Sequence, residues 1–117
     1  LKNFLRMEKW IFDSPDQAGE AFRQFAKDFF QQNKLVKGEV IIGDRRVDLQ
    51  EIAIPVLNVY ATQDHLVPPA ASKALAECCG SRDYSELSFR GGHIGIYVSS
   101  RAQREVPPAI AAWLLAR

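Results

Sequence analysis

The sequence predicts an α/β fold with parallel strands, because two strand patterns flank a helix pattern. Val56–Ala61 is an apolar run typical of a strand buried on both faces, and Pro55 suits its first position. Tyr84–Phe89 alternates apolar and polar side chains, which favours a second strand. A helix is expected between them, from about Ala70 to Cys79, so the unit is strand–helix–strand with a right-handed crossover.

Proline and glycine mark the bounds of the helices in this half of the chain. The pair Pro68–Pro69 precedes the first helix, since proline is tolerated in a first turn, and Gly80 is well placed to end it. A last helix is expected within Ser100–Arg117, and it is best defined after Pro107–Pro108.

Two helices are predicted ahead of the strands. Leu1–Phe12 has apolar side chains at a loose helical spacing. Pro15 to about Gln32 has a stronger signal, because Ser14 can cap the helix and Gln17 completes a capping box. This second helix should be amphipathic. Its apolar face would pack into the core or, alternatively, form a surface for a partner or an acyl substrate, and it carries Phe22, Phe25, Phe29 and Phe30.

A change of period after Asn33 predicts a β-hairpin. Glu39–Ile42 and Arg45–Leu49 have the pattern of short strands around the Gly-first turn Gly43–Asp44. The charges along one face of this hairpin make it resemble the edge of a sheet.

Size and composition are those of one globular domain. The chain has 117 residues, of which 47% are hydrophobic and 25% charged. Its net charge is +1 and it has no long basic run, so nucleic acid is not an expected ligand. No apolar stretch approaches the roughly 20 residues that span a bilayer, and a signal peptide is not expected. Because the first residue is Leu1 rather than Met, we expect the chain to begin within a longer protein.

The two cysteines are adjacent in the sequence. Cys78 and Cys79 are poorly placed for an ordinary disulfide and lack the spacing of metal ligands. We therefore predict no metal site and a reducing, cytoplasmic environment, with both thiols as packing residues or spectators.

Asp64 and His93 are the candidate catalytic residues. Each follows one of the predicted strands, and parallel strands place their carboxyl ends at one edge of the sheet, where open α/β folds bind ligands. Such a histidine takes a proton from a nucleophile while the carboxylate fixes its tautomer. Gly91 and Gly92 would let the backbone turn sharply and leave room beside the imidazole. On spacing alone a structural role stays open, although α/β-hydrolases share the chain order acid then histidine.

His65 competes with His93 for the role of base. Because His65 lies beside Asp64 in a tight Asp-His-x-Val-Pro-Pro turn, we expect it to support the loop through hydrogen bonds. The chain contains no Gly-x-Ser-x-Gly or Gly-x-Cys-x-Gly motif, and the cysteines at the end of a predicted helix do not replace one. No nucleophile is therefore assigned within this chain.

Four strings of the sequence carry a family resemblance: Pro55–Ala61, Asp64–Pro69, Gly91–Val98 and Gln103–Ala111. With the Met7–Trp10 region and the phenylalanine-rich helix, they closely resemble polyhydroxyalkanoate synthases, in particular the class III catalytic subunit. The resemblance covers essentially the whole chain, and it is more specific than an isolated Asp and His pair.

The resemblance implies the C-terminal part of an α/β-hydrolase fold in which a cysteine nucleophile replaces serine. Such enzymes transfer the acyl group of (R)-3-hydroxyacyl-coenzyme A to a growing polyester and release coenzyme A, so no separate cofactor is expected. His93 matches the family's general base, and Asp64 matches the aspartate that activates a hydroxyl group or orients the histidine. The cysteine would lie upstream, so this chain alone would be inactive.

The same resemblance implies an organisation and a set of partners. Residues 1–50 would form part of a cap or lid, and residues 51–117 the C-terminal part of the core. The family's class III members work with a second, non-catalytic subunit and associate with polymer granules in the cytoplasm. A sheet without its first strands exposes an edge, so a homo-oligomer is expected. The alternatives are a fragment of a serine esterase or thioesterase of the same fold, and a non-enzymatic assembly module.

Overall fold

Helices and short strands alternate along the chain. A computed structural model describes residues 2–117, apart from the side chain of Asn3. In order, the elements are α1 (Lys2–Phe12), α2 (Gly19–Phe25), a π-helix (Ala26–Gln31), β1 (Val40–Ile42), β2 (Arg45–Val47), a 3-10 turn (Leu49–Glu51), β3 (Val56–Ala61), α3 (Pro69–Lys73), α4 (Leu75–Cys78), β4 (Tyr84–Phe89), α5 (Gly95–Val98) and α6 (Ser100–Leu115).

The predicted strand–helix–strand unit is confirmed. β3 and β4 have the predicted bounds and pair in parallel, with Val56 opposite Tyr84 and Ala61 opposite Phe89. The helix between them is interrupted by a turn at Ala74, which separates α3 from α4. This parallel pair is the frame that carries both candidate catalytic residues.

Helices cover both faces of the parallel pair. On one face α6 packs against β4 through a buried hydrophobic cluster of Phe89, Ala102 and Val106. On the other face Asn58 Nδ2 donates to Ser72 O of α3 at 2.8 Å and to the Tyr84 hydroxyl at 2.9 Å. The first four residues of β3 are only half-buried, because β3 has a neighbouring strand on one side alone among the described residues.

Gly80 does not end the helix in the way that its position suggested. α4 ends at Cys78, and Cys79 already has an extended backbone with φ −84° and ψ 136°. The Gly80 N–H donates to Leu49 O at 3.2 Å, and a Cβ atom at Gly80 would clash with the backbone carbonyl of Gln50. A close approach between two chain segments therefore requires glycine here.

The last helix is longer than predicted. α6 begins at Ser100, where the Ser99 hydroxyl accepts a hydrogen bond from the Ala102 N–H at 3.1 Å. Pro107–Pro108 lie inside the helix, although proline removes a backbone hydrogen bond there. Burial of Ala102 and Val106 against the sheet stabilises the turns that precede the prolines. Within residues 2–117, none of the helices has the length and apolar character needed to cross a membrane.

The capping box predicted for the second helix does not form. The Ser14 hydroxyl instead donates to Ile11 O at 2.9 Å, and α2 begins only at Gly19, with Ala18 as a cap that makes no side-chain hydrogen bond. The chain then continues as the π-helix to Gln31. The first predicted helix is confirmed as α1, except at Leu1, which lies outside the described residues.

The phenylalanines of the second helix are not packed into a core. Phe22, Phe25 and Phe30 are exposed and Phe29 is half-buried. Three of the rings contact one another, with centroids 5.1 Å apart for Phe25 and Phe29 and 5.3 Å apart for Phe25 and Phe30. The interpretation as ordinary core packing is therefore wrong for the described residues, and the interpretation as a contact surface stays open.

The predicted hairpin is confirmed, but its strands are shorter than Glu39–Ile42 and Arg45–Leu49, since Leu49 begins the 3-10 turn. β1 and β2 are antiparallel, with Val40 opposite Val47 and Ile42 opposite Arg45. Gly43 has a φ of +65°, as the first position of a Gly-first turn requires. Val40 is buried, whereas Ile42 is exposed, so the hairpin buries only part of its apolar surface.

Candidate active site

Hydrogen bonds beyond the strand ends hold the two candidate loops together. The Gln63 N–H, two residues after β3, donates to Gly91 O, two residues after β4, at 2.9 Å. Asp64 follows Gln63 directly, and His93 lies two residues after Gly91. The parallel register therefore places both candidates at the carboxyl edge of the sheet, as predicted.

The structure joins Asp64 and His93 by a hydrogen bond. His93 Nδ1 lies 2.8 Å from Asp64 Oδ2. An ionised carboxylate can only accept hydrogen bonds, so Nδ1 carries the proton and Nε2 of the neutral ring is an acceptor. The His93 side chain is 37% exposed and that of Asp64 only 10%. One ring nitrogen is thus held by the carboxylate, while the other is available to a reacting group.

Backbone donors keep the Asp64 carboxyl group ionised. Its Oδ1 accepts hydrogen bonds from the Leu66 N–H at 2.9 Å and the Val67 N–H at 2.8 Å. Burial raises the pKa of Asp64, but the hydrogen bonds from Val67, His93 and Leu66 together outweigh burial and leave this pKa below its usual value. The pair can therefore hold a proton on Nδ1 and accept another on Nε2.

The chain bends at Arg90 and Gly91, and the structure adds a packing reason for glycine at Gly91. Positive φ angles occur at Gly38 and Gly43 among the described glycines, so Gly91 and Gly92 make no left-handed turn. A Cβ atom at Gly91 would lie 2.6 Å from Cε1 of Phe89. Gly91 is therefore required because the buried ring of Phe89 fills the adjacent space.

His65 is placed outside the hydrogen-bonded pair. Its side chain is exposed and forms no hydrogen bond within the described residues. The hydrogen bonds that shape this loop come from Asp64 Oδ1 instead. The supporting role expected of His65 stays a prediction, and Asp64 is the side chain that is seen to bond the backbone of this loop.

The cysteines lie at the opposite edge of the sheet. Cys78 and Cys79 are half-buried free thiols. Cys79 Sγ accepts from the Ser81 N–H at 3.5 Å and donates to Ile52 O at 3.8 Å, and both partners precede a strand. A strand of 6 residues is about 20 Å long, so this thiol is remote from His93. No cluster of His, Cys, Asp or Glu side chains suited to a metal ion occurs in residues 2–117.

Two apolar cavities share lining residues near the site, and His93 lines one of them. The first has a volume of about 380 Å³ and is lined by Trp10, His93, Ile94, Tyr97 and Val98. The second has a volume of about 410 Å³ and is lined by Arg6, Met7, Trp10, Ile94 and Val98. The sequence placed Trp10 on a predicted helix and in the Met7–Trp10 region that carries the family resemblance, but it did not place Trp10 beside His93. The four-residue spacing of Ile94 and Val98 directly after the candidate histidine is the signal that could have revealed this lining.

A protein-family model matches the part of the chain that contains the candidate site. Residues 18–95 match the serine hydrolase (FSH1) family, and this range includes both Asp64 and His93. The chain therefore belongs to the serine hydrolase (FSH1) family, and with its parallel strand pair it has an α/β-hydrolase-like fold.

Individual relatives show which proteins with this fold the chain is similar to. The poly(3-hydroxyalkanoate) polymerase subunit PhaC of Allochromatium vinosum is 66% identical over 114 residues, which are 97% of this chain and 32% of the relative. PhaC of Synechocystis sp. is 64% identical over 118 residues, 100% of this chain and 31% of the relative. PhaC of Haloferax mediterranei is 40% identical over 117 residues, 100% of this chain and 24% of the relative. The resemblance to polyhydroxyalkanoate synthases is confirmed, and the chain spans at most about a third of the length of these relatives.

Proposed function

We propose that this chain carries the acid and histidine of the active site of a polyhydroxyalkanoate polymerase. One observation carries the proposal: His93 Nδ1 lies 2.8 Å from Asp64 Oδ2 at the carboxyl edge of a parallel strand pair. The reaction would transfer the acyl group of an (R)-3-hydroxyacyl-coenzyme A to a growing polyester. Residues 1–50 would belong to a cap and residues 51–117 to the C-terminal part of the core.

His93 would act as the general base in both halves of the reaction. In the first half Nε2 takes the proton of a cysteine thiol supplied upstream, and the sulfur attacks the thioester carbonyl. The bond from the carbonyl carbon to the coenzyme A sulfur breaks, and the proton passes to the departing thiolate. In the second half Nε2 takes the proton of a substrate hydroxyl, whose oxygen attacks the acyl-enzyme. The new ester forms, and the proton returns to the cysteine sulfur.

Asp64 would orient His93 rather than contact the substrate hydroxyl. Both of its carboxylate oxygens already accept hydrogen bonds, one from His93 and the other from the Leu66 and Val67 N–H groups. The negative charge of Asp64 would also stabilise the imidazolium that forms when His93 takes a proton. These contacts favour the orienting role of the aspartate over direct activation of a hydroxyl group.

Two substitutions in the full-length protein test this assignment. We expect His93→Gln and Asp64→Asn each to lower kcat at least about 100-fold, because general-base catalysis typically contributes that much. The release of coenzyme A from (R)-3-hydroxybutyryl-coenzyme A is the measurement. His65→Gln is the matched control, since that imidazole is exposed in the same loop and outside the pair. Turnover near that of the wild type in both variants would reject the catalytic assignment.

The partners of the protein follow from the same proposal. They would be a second, non-catalytic synthase subunit and the surface of a polymer granule in the cytoplasm. No cofactor would be needed, since coenzyme A enters as part of the substrate. A homo-oligomer of this chain is also proposed, because β3 has a second edge without a neighbour among the described residues. A clean monomer at high concentration in size-exclusion chromatography with light scattering would contradict it.

A serine esterase or thioesterase is the second candidate, and the description of the matching family as serine hydrolases favours it. An Asp and His pair of this geometry would serve either nucleophile. Phenylmethylsulfonyl fluoride and iodoacetamide, applied separately to the full-length protein, distinguish the two. Inactivation by the sulfonyl fluoride with a modified serine found by mass spectrometry would favour the hydrolase. Inactivation by iodoacetamide with a modified cysteine upstream would favour the polymerase.

A further inference from the structure

The residues that line the cavity beside His93 are those of a binding site for an apolar group. Such a group would lie next to the candidate catalytic histidine. Its walls are Trp10 from α1 and Ile94, Tyr97 and Val98 from the segment that follows the site loop. Three residues of the lining carry a polar group, namely His93, Tyr97 and Trp10. A volume of about 380 Å³ lies within the range of small-molecule sites, which are mostly apolar with a few placed polar groups.

The hydrogen bond between His93 and Asp64 determines which nitrogen of the imidazole can contact a ligand in this cavity. Nδ1 is bonded to Asp64, so Nε2 is the ring nitrogen available to a ligand in the cavity. A substrate whose carbonyl group reacts beside Nε2 would therefore have its acyl chain against the apolar walls. The second candidate function, ester hydrolysis, would present an acyl chain to the same walls.

Trp10 lies at the boundary between two cavities. It lines the cavity that contains His93 and also the second cavity of about 410 Å³ that contains Arg6 and Met7. Ile94 and Val98 line both cavities as well, but Trp10 has the largest side chain of the three. Arg6 and Trp10 are four residues apart on α1, so they lie on one face of the helix. Removal of the indole would enlarge the space next to both cavities.

We propose that the cavity beside His93 is the acyl-binding subsite and that Trp10 is the residue that limits the length of the acyl chain. The inference rests on the proposed function for the identity of the substrate as a hydroxyacyl thioester. Trp10 is 63% exposed and lines both cavities, so its indole would bound the subsite on the side of the second cavity. A short acyl chain ends against this ring, whereas a longer chain needs the space beyond it.

Selectivity between chain lengths in the full-length protein is the quantity to measure. The substrates are (R)-3-hydroxyacyl-coenzyme A thioesters with four and eight carbon atoms in the acyl group, and p-nitrophenyl esters of the same two lengths. Trp10→Ala should raise the ratio of kcat/KM for the long chain to that for the short chain at least about tenfold, since single methylene groups in apolar pockets change selectivity by about 10–200-fold. Trp10→Phe keeps a smaller aromatic ring and should give an intermediate ratio.

Phe12→Ala is the matched control, because Phe12 is an exposed aromatic residue of the same helix and lines neither cavity. It should leave the ratio within about twofold of the wild type, well below a selectivity effect of one methylene group. Trp10→Phe also guards against a Trp10→Ala variant that fails to fold. Unchanged ratios in a folded Trp10 variant, or an equal fall in kcat/KM for both lengths, would overturn the inference.

The two substrate classes separate this inference from the proposed function. If the wild type acts on the p-nitrophenyl esters but not on the thioesters, the polymerase assignment fails. A shifted ester ratio in the Trp10 variants would still support the acyl subsite in that case. If the wild type turns over the thioesters and their ratio does not respond to Trp10, only the subsite inference fails. Absence of turnover with both classes would overturn both.

Discussion

The N-terminal region, residues 2–47, and the strand region, residues 56–115, bury their apolar side chains to very different extents. Among the described residues 2–47, the buried positions are Asp28, Gly38 and Val40, while large apolar side chains along α1 and α2 are exposed. The strand region has a hydrophobic cluster at β4 and α6. Both regions have amphipathic sequence patterns. Such a pattern predicts a helix, but it does not predict which part of the protein will bury the apolar face of that helix.

The difference follows from how many layers each region has. The parallel pair has helices on both faces, whereas the hairpin of β1 and β2 is an isolated two-stranded sheet. Such a hairpin buries little by itself. Polar contacts hold the N-terminal region instead: Lys34 Nζ lies 2.8 Å from Asp28 Oδ1, and the Lys34 N–H donates to Asp28 O at 2.8 Å after the π-helix.

Truncation of one phenylalanine in each region tests the contrast most strongly. Phe89→Ala should lower the free energy of unfolding by about 3–5 kcal/mol, because the ring is only 4% exposed in the cluster against α6. Phe30→Ala should change it by no more than about 0.5 kcal/mol, since its ring is 76% exposed. Chemical denaturation of the full-length protein provides the measurement. A large loss for Phe30→Ala would show that another surface covers the phenylalanine-rich helix.

Glycine substitutions provide a second, smaller contrast. Gly80→Ala should destabilise by about 1–3 kcal/mol, because the new methyl group would overlap the Gln50 carbonyl and the backbone must shift. Gly19→Ala should stabilise by up to about 1 kcal/mol, since alanine is the better helix former and its Cβ atom meets nothing within 4 Å. Thermal unfolding of both variants checks this. Equal shifts in Tm would contradict the close approach at Gly80.

The smallest effect concerns the dependence of stability on pH. The hydrogen bond from Lys34, opposed by burial, holds the pKa of Asp28 below its usual value in the folded protein. A lowered pKa stabilises the fold above the unfolded value of about 3.9, and this contribution is lost as the pH falls through the folded pKa. Asp28→Asn should therefore reduce the loss of stability on acidification, measured as Tm between about pH 6 and pH 3.

Lys34→Met is the companion variant for this measurement. It keeps the Asp28 carboxyl group but removes the partner that lowers its pKa, so the acid dependence should be reduced in the same direction. An acid dependence identical to that of the wild type in both variants would mean that the ion pair does not hold the N-terminal region.

The strand–helix–strand unit and the pair of Asp64 and His93 were predictable from two simple features. These are the periodicity of each strand and the direction of parallel strands. Apolar and alternating runs of six residues indicated β3 and β4, and parallel pairing then required their carboxyl ends to meet. The hydrogen bond between Asp64 and His93 follows from that register. The packing of Gly91 against the Phe89 ring was not predictable in this way, because it depends on where a buried side chain lies.

The sequence by itself determined the two parallel strands, the hairpin and the first helix, and which acid and histidine share an edge, since these depend on periodicity and on the direction of parallel strands. The tertiary structure alone decided the burial of the phenylalanines and the position of Trp10 beside His93. These features depend on contacts between segments far apart in the chain. Local patterns carry no information about which surfaces will meet.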